Sequence, residues 1–219
     1  MSKARRIKAA VLLSGKGSNL QAFIDTAGRN ALEFDIGLVI SDRPQAAGLG
    51  RAREAGIEAC CVAAQGIADR AAYDQLVAAE LERHAPGLII LAGFMRILSA
   101  AFVNRYAGRI LNIHPSLLPL YPGLNTHARA LAAGDREHGC TVHFVTEELD
   151  GGPRIMQGRV PVRETDDADT LAARVLEIEH RIYPRAANLF AAGRISYRDG
   201  HCFLDGAAME EPLCYPDPL

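Results

Sequence analysis

A chain of 219 residues, 49% hydrophobic and 23% charged, has ordinary globular composition, and at this length one domain buries roughly 70% of its unfolded surface. Its net charge of -2 excludes a general attraction to nucleic acid, so an anionic ligand has to be met locally. The five cysteines show no C-x-x-C spacing and no apolar run approaches a membrane span, which points to a reduced cytoplasm without disulfide framework or zinc site.

Ile7 to Leu13 reads as a buried strand, followed by the glycine turn Ser14-Gly15-Lys16-Gly17. Ser18 opens a helix with Leu20, Phe23, Ile24 and Ala27 inward. Phe34 to Ile40 is the next strand, Ala46 to Ala55 a short helix ended by Gly56, and Ile57 to Val62 a third strand. An amphipathic helix runs from about Arg70 to His84, with Leu76, Val77, Ala79 and Leu81 on its buried side, until Pro86-Gly87 stops it. Leu88 to Ala92 lacks polar alternation, as a parallel strand buried on both faces would. Ser99 is the N-cap of a helix through Tyr106, and Arg109 starts the strand Ile110-Leu111-Asn112-Ile113-His114, ended by Pro115.

Such alternation implies right-handed crossovers in a doubly wound, mainly parallel α/β sheet, whose ligands bind beyond the carboxyl ends of the strands. Gly15, Gly93 and His114 lie at those ends. A loop from Ser116 to Gly123 leads to a helix near Thr126 to Ala133. Cys140 to Val145 and Ile155 to Val162 are two further strands, joined too closely for a helical crossover, so an antiparallel edge is expected there. The longest helix starts at Asp169 or Thr170 and runs toward Ala192, with Pro184 as a kink or break. A hairpin about Asp199-Gly200 follows, and the tail from Pro212 is expected to be poorly ordered. No repeat, linker or second domain interrupts the chain.

Residues two apart on a strand share a face. Asn112 and His114 therefore point into one volume, and an amide beside an imidazole suits polarising and protonating a carbonyl oxygen. Ser14 to Asn19 is a phosphate-loop candidate, since glycines admit close approach and a helix N-terminus offers unpaired N–H groups. It is neither a G-x-G-x-x-G fingerprint nor a Walker A sequence. Asp150 sits in Leu149-Asp150-Gly151-Gly152, where a sharp turn directs a carboxylate toward a cleft, and a carboxylate beside an imidazole holds its orientation. Gly93 to Leu98 can line an apolar slot. Among the other histidines, His143 is a candidate for positioning Asp150 or a bound water. His127 and His138 read as structural, and Glu147 and Glu148 as a solvated loop face.

The segments GKGSN, LAGFMRILS, LNIHPSLLPLYPG, HGCTVHFVTEELDGGP and EHRIYP, in this order from about Ile7 to Pro184, resemble the phosphoribosylglycinamide formyltransferases of purine synthesis. The resemblance implies a Rossmann-like formyltransferase fold, with transfer of a formyl group from 10-formyltetrahydrofolate to the amino group of 5-phosphoribosylglycinamide. It implies no metal or redox cofactor. Carried onto matching positions, it makes Asn112, His114 and Asp150 the catalytic trio. Gly17, Ser18 and Asn19 fall to the substrate phosphate and ribose region, with Glu179 near the sugar. The folate side takes Arg70, Met95, Arg96, Ile97, Leu98, Asn112 and the loop Thr146, Glu147, Glu148, Leu149 and Asp150, with Arg70 suited to the glutamate carboxylates. Leu120 stands where relatives often carry a basic residue, and Asn125 where some carry histidine. The expected protein is a cytoplasmic monomer or homodimer acting on small molecules, with no nucleic-acid or membrane partner.

Competing readings are a methionyl-tRNA formyltransferase, a formyltetrahydrofolate hydrolase, a silent nucleotide-binding module and an oxidoreductase. The first wants a nucleic-acid-binding domain after about Ala192, and the second usually has a regulatory domain before Ile7. A silent module would keep the glycine turn and use the trio structurally. The missing third glycine disfavours the last.

Overall fold

The computed structural model describes residues 6–216, and the chain divides into two compact units, through Leu111 and from Asn112 onward. The first carries β1 (Lys8–Leu13), α1 (Ser18–Gly28), β2 (Asp35–Ser41), α2 (Ala47–Glu54), β3 (Ala59–Cys61), α3 (Arg70–His84), β4 (Leu88–Leu91) and α4 (Ala100–Arg105). β1 pairs in parallel with both β2 and β4, and β2 with β3. The spatial order β4-β1-β2-β3 therefore reverses direction at β1, the kind of switch point where open α/β sheets bind ligands. The loops leaving β1 and β4 meet there: Ser14 N–H donates to Gly93 O at 3.0 Å, and Met95 N–H to Ser14 Oγ at 2.8 Å. Every residue of β4 is buried, as its unbroken apolar run requires.

Helix bounds in this unit follow the sequence closely, but two buried faces do not. In α3 the buried residues are Tyr73, Asp74, Val77, Ala78 and Leu81, while Leu76 is 49% exposed and Ala79 is exposed. Asp74 rotates the helix inward because its Oδ2 accepts from the Ser99 N–H at 2.6 Å, leaving no bare carboxylate in the core. In α1 Thr26 is buried instead of Ala27, its hydroxyl donating to Ala22 O at 2.7 Å, and Ile24 is only half-buried. Ser18 does not cap α1. The cap is Gly17, in the left-handed region at φ 70 and ψ 33, where glycine carries no Cβ penalty. Ser99 does cap α4, accepting from the Phe102 N–H at 3.3 Å.

β5 (Ile110–His114) crosses the boundary between the units. The second unit continues with α5 (Thr126–Ala133), β6 (Glu137–Phe144), β7 (Arg154–Pro161) and α6 (Ala168–Ala191), then β8 (Ile195–Arg198), β9 (His201–Leu204), β10 (Ala207–Ala208) and β11 (Leu213–Tyr215). β6 and β7 are antiparallel, and their register slips between Val142 and His143, an irregularity of the kind that re-aims side chains. The hairpin about Asp199-Gly200 forms, and β10 extends it to a three-stranded antiparallel sheet. Pro184 does not break α6: the helix runs through it to Ala191, with Tyr183 and Pro184 buried. Loss of one N–H donor is offset by the apolar face that Leu171, Val175, Ile182 and Ala186 bury, each large side chain contributing about 1.5 to 3 kcal/mol. The tail is a further correction. Leu213–Tyr215 pairs in parallel with Met156–Gly158 of β7, so a strand with its own ladder partner stands where disorder was expected. Residues 217–219 lie outside the described residues.

α6 lies directly on β7 at Gly158, where an added Cβ would strike the Ile178 side chain. Overpacking of this kind costs about 1 to 3 kcal/mol. Gly158→Ala is accordingly expected to lower the urea midpoint with an unchanged slope, and an unaltered midpoint would mean that α6 yields freely.

Candidate active site

The second unit gathers the trio around one carboxylate. β5 brings Asn112 and His114 to the same face, and the loop after β6 presents Asp150 in the left-handed conformation at φ 53. Gly152 closes this loop against β6, with no room for a Cβ beside Phe144 O, while Phe144 N–H donates to Pro153 O at 3.0 Å. Asp150 Oδ2 lies 3.3 Å from His114 Nδ1, and the two side chains are only 8% and 7% exposed. Such burial keeps their interaction largely free of solvent screening.

Hydrogen-bond partners assign the protons. His114 Nε2 is 2.9 Å from Tyr121 O, and a carbonyl only accepts, so Nε2 bears hydrogen. Nδ1 is then the ring nitrogen able to exchange a proton with Asp150. The same loop holds the carboxylate: Gly123 N–H donates to Asp150 Oδ2 at 2.9 Å. Tyr121, at φ 55, and Gly123 thus act through backbone groups, which no reading of residue types could single out.

His143, the histidine expected to position Asp150 or a bound water, is placed by the slipped register at Val142/His143. Its Nδ1 is 2.8 Å from Phe144 O, so Nδ1 bears hydrogen and the Nε2 of the neutral ring accepts. Asn112 Nδ2 donates to that Nε2 at 3.1 Å. The orientation of the Asn112 amide is thereby decided, with its second N–H left for another acceptor. His143 Nε2 is also 3.9 Å from Asp150 Oδ1. Burial pushes the His143 ring down to about 4, which keeps it neutral at pH 7. His127 and His138 face each other, His138 Nε2 being 3.1 Å from His127 Nδ1. Burial lowers both, His138 to about 4, in keeping with a structural pair.

These depressed values make stability depend on pH. An unfolded histidine titrates near 6.5, so between pH 6.5 and 4 the unfolded chain binds a proton at His143 that the folded chain does not. Stability is then full above pH 6.5 and falls as pH drops toward 4, by about 1.4 kcal/mol per pH unit for each such proton. Melting temperature is expected to fall between pH 7.5 and 5.5, and His143→Gln to flatten that dependence. An unchanged dependence would mean that His143 is charged in the folded state.

The remaining predicted residues are distributed as follows. Glu179 is buried on α6, close enough to Cys140 to help burial hold that thiol well above its ordinary value. Thr146 is half-buried, Glu147 and Glu148 are exposed, and Leu149 is 53% exposed. Leu120 is 54% exposed, and Asn125 adopts φ 58 as the residue preceding α5. In the first unit Gly17, Ser18 and Asn19 form the turn into α1. Met95 and Ile97 are 63% and 52% exposed, whereas Leu98 is buried. The Arg96 guanidinium stacks over the Tyr73 ring at 4.2 Å, and Arg70, one turn earlier on α3, is exposed.

The formyl transferase family matches residues 7–187. A phosphoribosylglycinamide formyltransferase of Escherichia coli K12 is 53% identical over 196 residues, which is 90% of this chain and 92% of that protein. The solved phosphoribosylglycinamide formyltransferase of Coxiella burnetii is 45% identical with a TM-score of 0.92, covering 97% of this chain and 100% of that one. A formyltetrahydrofolate deformylase of Pseudomonas syringae is 25% identical at TM-score 0.86, with 66% of its chain covered. With a match running from β1 deep into α6 and identity of this order over nine-tenths of the chain, the protein belongs to the formyl transferase family, among the phosphoribosylglycinamide formyltransferases.

Proposed function

We propose that this protein transfers the formyl group of 10-formyltetrahydrofolate to the amino group of 5-phosphoribosylglycinamide, a step of purine synthesis. The observation that carries the reading is the contact of Asp150 Oδ2 with His114 Nδ1 at 3.3 Å, the Nε2 side of the ring being taken by Tyr121 O. An amine attacking a formyl carbon drives negative charge onto the former carbonyl oxygen, and a proton must pass from the attacking nitrogen to the departing one. The second N–H of Asn112 donates to that oxygen, and a donor so placed is commonly worth about 10² to 10³ in rate. His114 acts through Nδ1, with Asp150 holding the imidazolium and relaying the proton, a role worth roughly 10² to 10⁴. No residue attacks covalently. Fixing the two substrates in place supplies much of the rest.

We assign Gly17, Ser18 and Asn19 to the acceptor phosphate and ribose region and Glu179 to its sugar. The folate falls to Arg70, Met95, Arg96, Ile97, Leu98 and the loop from Thr146 to Asp150. We read the chain as a single formyltransferase domain, because one family match runs through both units. It acts on small molecules as a cytoplasmic monomer or homodimer. Among the described residues no helix is long and apolar enough to cross a membrane.

Incubation with 10-formyltetrahydrofolate, with and without phosphoribosylglycinamide, tests the reading through release of the deformylated folate. Turnover that requires the acceptor is expected. Turnover without it would make the protein a hydrolase, and acceptor binding without turnover a silent module.

A further inference from the structure

The turn into α1 is held from behind by α2, and this sets the direction of its peptide groups. Gly15 O accepts from the Gly48 N–H at 3.1 Å, and Lys16 O accepts from Arg51 Nε at 2.9 Å. Both peptides are trans, and a planar trans peptide opposes its C=O and N–H. Anchoring these two carbonyls on α2 therefore turns the N–H groups of Lys16 and Gly17 away from it. Consecutive N–H groups in a turn of this kind make a concave nest for an anion. The approach of α2 is close: a Cβ on Gly17 would lie 2.7 Å from Gly48 Cα, and one on Gly48 would strike Leu13. The other arm of Arg51 reaches α1, Nη1 donating to Gln21 Oε1 at 2.9 Å. A planar guanidinium reaches both acceptors at fixed spacing, which a lysine ammonium does not.

We propose that Arg51 is the positioning residue of the acceptor's phosphate site: by holding Lys16 O against α2 it aims the Gly17 N–H at the phosphate and adds positive charge behind the loop. The proposal rests on the assignment of Gly17 to Asn19 to that phosphate. An arginine that merely ties α2 to α1 would contribute to stability without distinguishing one acceptor from another.

Steady-state kinetics of Arg51→Met and Arg51→Lys separate the two roles, with phosphoribosylglycinamide and its dephosphorylated counterpart as acceptors and inorganic phosphate as competitor. For Arg51→Met the KM for the phosphorylated acceptor is expected to rise about tenfold, the order lost with one charge-assisted hydrogen bond. Inhibition by inorganic phosphate should weaken in parallel. The KM for the dephosphorylated acceptor, the KM for 10-formyltetrahydrofolate and kcat should hold, and Arg51→Lys should fall between. Equal losses with both acceptors, or a loss confined to kcat, would overturn the positioning role and leave formyl transfer standing. If the unmodified protein ignores both the acceptor's phosphate and inorganic phosphate, the assignment of the loop fails and the proposal falls with it.

Discussion

His114→Ala is expected to lower kcat by about 10³ to 10⁴, and Asp150→Asn by a comparable factor, as removal of a proton-transfer group together with its charge partner implies. The two side chains act on one proton, so the double variant should be little worse than either single one. Folding should survive in both. An asparagine at 150 still offers an oxygen to the Gly123 N–H, which now donates to Asp150 at 2.9 Å, and an alanine at 114 frees the carbonyl of the half-buried Tyr121 and one side of Asp150, which keeps the Gly123 N–H. Thermal melts beside single-turnover rates make the check. Near-normal turnover in either variant would remove the proton route through Nδ1.

Asn112→Asp is expected to cost about 10³ in kcat, because it replaces a hydrogen-bond donor by a negative charge facing the oxygen on which negative charge develops. The substitution also reverses the link to His143. Asn112 now donates to a lone pair on His143 Nε2 at 3.1 Å, and two acceptors cannot share that contact unless the ring takes up a proton. Burial holds the ring near 4, so the variant should draw a proton onto His143 at higher pH than the unmodified protein does. The imidazole proton signals, followed by NMR between pH 4 and 8, report it. An unshifted His143 with full activity would mean that the Asn112 amide has the opposite orientation.

The architecture is largely legible in the sequence. Apolar runs such as Leu88 to Ala92 and breakers such as Pro86-Gly87 announce strand and helix locally, and α3 spans Arg70–His84 as its periodicity predicts. Faces were harder. Asp74 turns α3 toward Ser99 and so displaces Leu76 from the core, a pairing across 25 residues that no local window contains. The C-terminal strand was missed for a related reason: Leu213–Tyr215 is short and bounded by prolines, and only its ladder with β7 makes it a strand.

Residue types and their alternation alone determined that an amide and an imidazole share a strand face, and that a glycine turn precedes the first helix, since side-chain direction along a strand is a local property. Tertiary structure decided which nitrogen of His114 meets Asp150, which way the Asn112 amide faces, and that His143 belongs between them. The partners that decide these points are the carbonyls of Tyr121 and Phe144 and the N–H of Gly123. Such backbone groups are chemically alike at almost every position, and folding alone gives three of them a place in the site.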